Sequence, residues 1–231
     1  MENLFLHYME QHAIRKSESK SRELGPVITI SREYGCYGSE IGDLLEKKLN
    51  QKKQPNNTSS CWVFVSHQVL CDAAKTLDVE PSEITHIFGA EEKSILGDLV
   101  SIFSSDKYIS DTQIKRTIAQ VVRSYAEQGN AIIVGRAGCI IAKHIKKSLH
   151  VKLTAPFNWR VNTIKKRFGI SQVDAIDKVK ETDKRRETFM EFFRGNKPDS
   201  ELFDLVLNRS TLSTEEIADQ IVFAAQKRGL F

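Results

Sequence analysis

A glycine-containing turn after a short apolar stretch is the part of this sequence best suited to binding an anion. Residues 27–30 are largely apolar and β-branched, and the turn that follows them carries Gly35 and Gly38. Glycine lets the backbone approach an anion closely, and the N–H groups at the start of the next helix attract negative charge. Ser39 and Glu40 stand where the Walker A pattern has lysine and a hydroxyl residue. The turn alone is explained equally well by phosphate binding and by an ordinary strand-to-helix connection.

Four arginines could supply positive charge to a phosphate at this turn. Arg32 follows the first apolar stretch, and Arg136 follows another apolar stretch and a glycine. Arg160 and Arg167 are seven residues apart, which places them on one stripe of a helix, two turns apart. A guanidinium group can bind a phosphate through two parallel N–H groups. Taken singly, each of these arginines is also explained as a surface residue.

Other reactive side chains carry weaker signals. Asp183 and Arg186 are one helical turn apart and could form an ordinary exposed ion pair. His67 follows a predicted strand, but no second group orients it, so a loop histidine is a better interpretation than a catalytic base. Of the four scattered cysteines, Cys36 lies in the glycine turn without a partner base. The sequence shows no clustered cysteine and histidine ligands, so it predicts no metal site.

Short apolar stretches alternate with helical patterns along the chain. This alternation predicts an α/β protein with a five-stranded parallel sheet between two layers of helices, a three-layer α/β/α fold. Ligands of such sheets bind beyond the carboxyl ends of the strands, where Arg32 and Arg136 are expected to meet. Residues 1–23 are predicted to form an N-terminal helical arm, and residues 24–231 the main domain. The strands are predicted near residues 27–30, 62–65, 130–134, 149–153 and 204–208.

The composition is that of an ordinary soluble globular protein, with 40% apolar and 28% charged residues in a chain of 231. No apolar run approaches the roughly 18 residues needed to cross a bilayer, and residues 1–20 lack the pattern of a signal peptide. A cytoplasmic protein without membrane contact is therefore expected. The net charge of +4 fits an anionic small molecule as well as nucleic acid. No basic stripe interleaved with aromatic residues supports nucleic-acid binding, and nothing in the sequence indicates an oligomeric state.

The order of these motifs resembles that of the cytidylate kinase-like family of P-loop nucleoside monophosphate kinases, over about residues 25–228. The resemblance implies a P-loop nucleoside-kinase-like fold. It also implies a helical acceptor-side subdomain over about residues 66–128 and lid-like helices over about residues 155–195. The segments that carry the resemblance are residues 28–35 (ITISREYG), 133–136 (IVGR), 151–161 (VKLTAPFNWRV), 183–186 (DKRR) and 203–208 (FDLVLN).

The resemblance further implies an activity and a set of site residues. The activity is ATP-dependent phosphorylation of a nucleoside monophosphate, with CMP or dCMP as the first expectation, or of a related small acceptor. ATP and Mg²⁺ are the implied cofactors. The implied catalytic residues are Arg32, which would replace the missing lysine, and the lid arginines Arg160 and Arg167. The acceptor would be held by Arg136, Asp183 and Arg186. Donor phosphates would lie on a phosphate-binding loop made of Gly35, Cys36, Tyr37, Gly38, Ser39 and Glu40.

Two functions stay open at this point. The retained arginines favour an active phosphotransferase. Ser39 and Glu40 favour a catalytically impaired relative that binds a nucleotide or another phosphate and has a regulatory role. The reason is that the turn lacks the lysine that contacts the transferred phosphate and carries a carboxylate that would repel it.

Overall fold

The apolar stretches form a parallel five-stranded sheet, as the sequence predicts. The computed structural model describes residues 24–52, 61–84, 109–195 and 198–231. The predicted N-terminal arm, residues 1–23, and residues 85–108 of the predicted acceptor-side subdomain lie outside the described residues. The strands are β1 (Val27–Arg32), β2 (Val63–Val65), β3 (Ala131–Val134), β4 (Ser148–Thr154) and β5 (Leu205–Asn208), in the spatial order β2-β3-β1-β4-β5.

Helices follow the strands along the chain and cover both faces of the sheet. Three of the described helices begin at serine caps: Ser110 accepts from the backbone N–H of Gln113, Ser171 accepts from that of Asp174, and Ser213 forms a capping box with Glu216. Among the described residues, no helix has the length and apolar content needed to cross a membrane. The helices are α1 (Gly38–Gln51), α2 (His67–Leu77), α3 (Pro81–Ile84), α4 (Asp111–Gln128), α5 (Gly138–Ile141), α6 (Phe157–Phe168), α7 (Gln172–Arg194) and α8 (Thr214–Lys227), with a 3₁₀ helix at Asp199–Glu201.

Strand β1 lies at the centre of the sheet, and its side chains belong to two hydrophobic cores, one on each face. Val27 packs in the core formed with α2 and α4, whereas Ile28 and Ile30 pack in the core formed with α1 and α8. All three side chains are buried, as a parallel strand covered on both faces requires. The predicted three-layer arrangement is therefore confirmed.

The strand register brings three loops to one edge of the sheet. Ile30 of β1 pairs with Val134 of β3 on one side and with Val151 of β4 on the other. Because the strands are parallel, the segments that leave them emerge at the same edge. The backbone N–H of Gly135 donates to the carbonyl of Ile30 at 2.9 Å, so the loop after β3 begins beside the end of β1.

The helices predicted as lid-like, α6 and α7, form a third small core over this edge. Tyr34, from the loop after β1, is fully buried there. It packs with Val161 and Ile164 of α6 and with Ala175 and Val179 of α7. Burial of its aromatic ring stabilises this packing by removing apolar surface from water. The side chain of Tyr34 thus anchors the loop after β1 to α6 and α7.

Candidate functional site

A cleft lies at the carboxyl edge of the sheet, where the loops after β1 and β3 meet the start of α2 and the end of α6. Four arginines and two carboxylates line it, so its described lining has an excess of positive charge. Such a lining favours a ligand with several negative charges, because like-signed groups around a cleft concentrate their field there. The lining residues are Arg32, Glu33, Gly35, Tyr37, Gly38, Ser39, Glu40, Ser66, His67, Arg136, Arg167, Phe168 and Arg186.

The loop after β1 presents the start of α1 to the cleft. Tyr37 adopts a left-handed conformation, with φ at 48°, and its side chain makes no capping hydrogen bond to the helix. Gly38, the first residue of α1, lines the cleft. The first N–H groups of a helix have no partner within the helix and carry a partial positive charge. This end of α1 is therefore suited to receive a phosphate, and phosphate binding by the loop stays a prediction.

Arg32 extends from the end of β1 across the start of α1 to the loop after β3. A Cβ atom added at Gly38 would lie 3.3 Å from both Cγ and Cδ of Arg32, so the aliphatic part of the side chain passes over this glycine. A Cβ atom added at Gly135 would collide with Nη1 of Arg32. The two glycines thus make room for the side chain, and the guanidinium lies in the cleft beside both loops. Arg32 thus brings a cation from the strand to the glycine loop, which has no lysine among residues 35–40.

Arg136 and Arg186 reach the same cleft from β3 and from α7. Arg136 follows Gly135 with φ at 55° and is only 6% exposed. Arg186 donates from Nη1 to the backbone carbonyl of Arg32 at 3.4 Å, and its guanidinium lies 5.3 Å from the centre of the Tyr34 ring. Both contacts hold Arg186 against the loop after β1. The structure therefore brings together two of the three residues that the sequence assigned to the acceptor.

The third, Asp183, lies beside the cleft, where it pairs with Arg160. Arg160 is 7% exposed and donates from Nη1 to Oδ2 of Asp183 at 2.5 Å and to the carbonyl of Tyr34 at 3.2 Å. Its Nε donates to the carbonyl of Ala155 at 3.1 Å. Asp183 lines a second cavity, which adjoins the first cleft because Arg32, Glu33 and Arg186 line both. Neither Asp183 nor Arg160 lines the first cleft, so their predicted contacts with a bound nucleotide stay predictions.

Arg167 has a different environment although it lies on the same stripe of α6. It forms an ion pair with Glu40 at 2.9 Å, and its guanidinium lies 4.2 Å from the centre of the Tyr37 ring. Both charged side chains are about half exposed, at 50% and 49%. Seven residues correspond to about 10.5 Å along a helix, which separates the buried Arg160 from this exposed end. Arg167 is therefore the arginine of α6 that stands at the mouth of the cleft.

Glu33 is a site residue that the sequence did not identify. Its Oε2 accepts from the hydroxyl of Thr154 at 2.8 Å and from the backbone N–H of Ala155 at 3.0 Å, and lies 3.4 Å from Nε of Arg160. These contacts join the end of β1 to the end of β4 at the rim of the cleft. Its position directly after Arg32 was the available signal, because residues that follow a central strand reach this edge.

The thiol of Cys36 is expected to resist alkylation in the folded protein. Cys36 is fully buried, and this burial, reinforced by the charge of Glu33, raises the pKa of its thiol to about 12. Only the thiolate reacts rapidly, so little of the reactive form exists at pH 8. Labelling with iodoacetamide and peptide mass spectrometry should modify the exposed Cys61 first. Equal labelling is expected only in denaturant, and equal labelling of the native protein would contradict this burial.

Comparisons with known proteins give the same picture of the whole domain. A family model described as the cytidylate kinase-like family matches residues 27–211. The chain is 29% identical over 205 residues to a cytidylate kinase of Sulfolobus acidocaldarius, which covers 88% of this chain and 96% of that protein. A shorter similarity, 29% over 98 residues, is to a uronate isomerase of Corynebacterium glutamicum, of which the chain spans 19%. The residues matched by the family model include every residue that lines the cleft.

Two solved structures illustrate the similarity of fold. An uncharacterized protein from Eubacterium ventriosum aligns with a TM-score of 0.61 at 16% identity, covering 89% of this chain and 99% of that one. A shikimate kinase from Bacteroides thetaiotaomicron aligns with a TM-score of 0.50 at 11% identity, covering 87% of this chain and 98% of that one. At these identities the similarity concerns the fold alone.

Proposed function

The chain belongs to the cytidylate kinase-like family, and from this premise we propose that it transfers the terminal phosphoryl group of ATP to a nucleoside monophosphate. CMP and dCMP are the first acceptors to test, because the relative from Sulfolobus acidocaldarius is a cytidylate kinase. The observation that carries the proposal is the position of Arg32. Its side chain supplies a cation beside a glycine loop that has no lysine of its own.

Phosphoryl transfer requires a protein mainly to align two phosphates and to neutralise the charge on the transferred group. The N–H groups at the start of α1 would hold the donor phosphates, with Arg32 beside the group in transfer. Arg136 and Arg186, which line the same cleft, would hold the acceptor phosphate. An oxygen of the acceptor phosphate would attack the terminal phosphorus of ATP. The bond between that phosphorus and the bridging oxygen would break, and ADP would leave.

Mg²⁺ is expected to enter with the nucleotide instead of occupying a site built by side chains alone. The part of the chain that the structure describes contains no group of three or more ligating side chains able to hold a metal ion. Mg²⁺ usually keeps several waters and binds one or two protein oxygens together with substrate phosphates. Ser39 and Glu40, in the first turn of α1, offer such oxygens to the cleft. When bound, Mg²⁺ would screen the negative charge of the phosphates.

A nucleotide-binding protein without transfer activity is the second candidate, and the ion pair of Glu40 with Arg167 favours it. The pair engages the arginine at the mouth of the cleft with an anion of the protein itself. However, an ion pair whose two side chains are half exposed contributes at most about 1 kcal/mol. A nucleotide phosphate can therefore compete for Arg167. For this reason we favour transfer over binding alone.

The deciding experiment is a coupled assay of ADP release from ATP and Mg²⁺ in the presence of CMP, dCMP, UMP, AMP or GMP. We expect release that requires an added monophosphate and is fastest with CMP or dCMP. Thermal stabilisation measured on the same samples separates binding from transfer. Stabilisation by nucleotide without turnover would support the second candidate, and no stabilisation by any nucleotide would overturn both. A Ser39→Lys variant is the matched comparison, and it should add little because Arg32 already supplies the cation.

A further inference from the structure

Asp183, on α7, joins the phosphate-binding loop to Arg160 of α6 through its two carboxylate oxygens. We propose that it is a positioning residue, which keeps this loop in its ligand-binding shape before a ligand arrives. The proposal rests on the proposed function in one respect, since it takes the ligand of the loop to be a nucleotide phosphate. The family resemblance implies that Asp183 contacts the acceptor directly. In our proposal Asp183 acts instead through the loop that it holds.

The two carboxylate oxygens of Asp183 bind different groups. Oδ1 accepts from the backbone N–H of Tyr34 at 2.7 Å, and Oδ2 accepts from Nη1 of Arg160 at 2.5 Å. The same Nη1 donates to the backbone carbonyl of Tyr34 at 3.2 Å. One ion pair thus holds both backbone groups of Tyr34. This fixes the peptide groups on either side of that residue, which begin the loop.

The next residue shows how closely the loop follows helix α6. Gly35 has a φ of 93°, a value that residues other than glycine rarely adopt. A Cβ atom at this position would lie 3.2 Å from both the Cβ and the carbonyl oxygen of Arg160. The chain then continues directly into Gly38 and the first turn of α1. A rotation of the peptide at residue 34 would therefore move the N–H groups that the donor phosphates would meet.

The charge balance at Arg160 makes the carboxylate of Asp183 essential to this arrangement. A guanidinium buried to this degree requires an opposite charge. The other carboxylate nearby, Glu33, is 3.4 Å from Nε and already accepts from Thr154 and Ala155. Neutralising Asp183 would leave Arg160 with Glu33 as its nearest described counter-charge. Two hydrogen bonds of the Tyr34 backbone would then weaken together: the one that its N–H donates to Asp183 and the one that its carbonyl accepts from Arg160.

The first test measures the loop without any ligand. In an Asp183→Asn variant, NMR hydrogen exchange of the Tyr34 amide should become about tenfold faster, the range expected for losing a charged hydrogen-bond partner. Exchange of the amides within β1 and β4 should stay unchanged. Asp177→Asn is the matched control, because Asp177 is an exposed residue of the same helix and loses the same charge. Unchanged Tyr34 exchange in Asp183→Asn would overturn the proposal.

The second test measures affinity for ADP by calorimetry. We expect the dissociation constant to rise about tenfold in Asp183→Asn and to stay at the wild-type value in Asp177→Asn. If the wild-type protein binds no nucleotide, the proposed function fails, while the exchange experiment still decides the positioning role. If Asp183→Asn also exposes the strand amides, an Arg160→Lys variant decides instead. Tyr34 protection retained in that variant supports the proposal, and protection lost overturns it.

Discussion

An Arg32→Met variant is expected to lose phosphoryl transfer by a factor of about 10²–10³, the usual cost of removing one group that stabilises transition-state charge. Methionine keeps an apolar chain that can pack over Gly38, so the loop should retain its shape. The guanidinium beside Gly135 is lost, and with it the cation that the glycine loop itself does not provide. The coupled assay with CMP measures the change, and calorimetry with ADP should show a much smaller loss of affinity.

Three further variants test whether the loss of activity comes from the charge and position of Arg32. Arg32→Lys keeps the charge but not the planar fork of N–H groups, so its activity should be intermediate. Gly135→Ala keeps Arg32 but places a Cβ atom in the path of its guanidinium, so it should reproduce part of the loss. Arg123→Met removes an exposed arginine of α4 and should leave activity unchanged. Wild-type turnover in Arg32→Met would show that another group supplies the charge.

An Arg160→Met variant is expected to lower the free energy of unfolding by about 2–3 kcal/mol. Breaking a buried ion pair costs roughly 3–5 kcal/mol. We reduce this value because the side chains of Asp183 and Glu33 are each 31% exposed, so water can solvate the carboxylates that remain. Arg167→Met, on the same stripe of α6, should change the unfolding free energy by less than about 1 kcal/mol, because its pair with Glu40 is half exposed.

Urea unfolding followed by circular dichroism measures both variants. At this chain length, 1 kcal/mol corresponds to roughly 2–4 °C in Tm, so Arg160→Met should also melt several degrees lower. In the coupled assay, Arg167→Met should act directly because Arg167 lines the cleft, whereas Arg160→Met should act through the loop that Arg160 and Asp183 hold. Equal loss of stability in the two variants would contradict the different environments of these arginines.

The edge of the sheet at which the site forms could be predicted from sequence. Short β-branched apolar runs such as residues 27–30 are typical of buried strands, and the intervening helical patterns favour parallel connections. Parallel strands send their following loops to one edge, so Arg32 and Arg136 had to lie near each other. Local composition and chain order are sufficient for this inference, because neither depends on the conformation of any side chain.

The roles of the individual charged residues could not be predicted from the sequence in the same way. Periodicity placed Arg160 and Arg167 on one stripe of a helix, yet one is buried behind the loop and the other is half exposed at its mouth. Spacing along a helix defines a face, whereas burial depends on what packs against each turn of that face. The partner of Arg160 is Asp183, on a different helix, and the loop residue that both hold, Tyr34, lies 149 positions before Asp183.

The sequence by itself determined the three-layer fold, the glycine loop at the end of β1 and the set of arginines available to it. Only the tertiary structure decided that Arg32 lies across Gly38 and Gly135, and that Asp183 accepts from the backbone N–H of Tyr34. The physical reason is the distance along the chain over which each interaction acts. Strand and helix formation follow from short-range patterns, whereas the direction of a long charged side chain depends on space and counter-charges that distant segments provide.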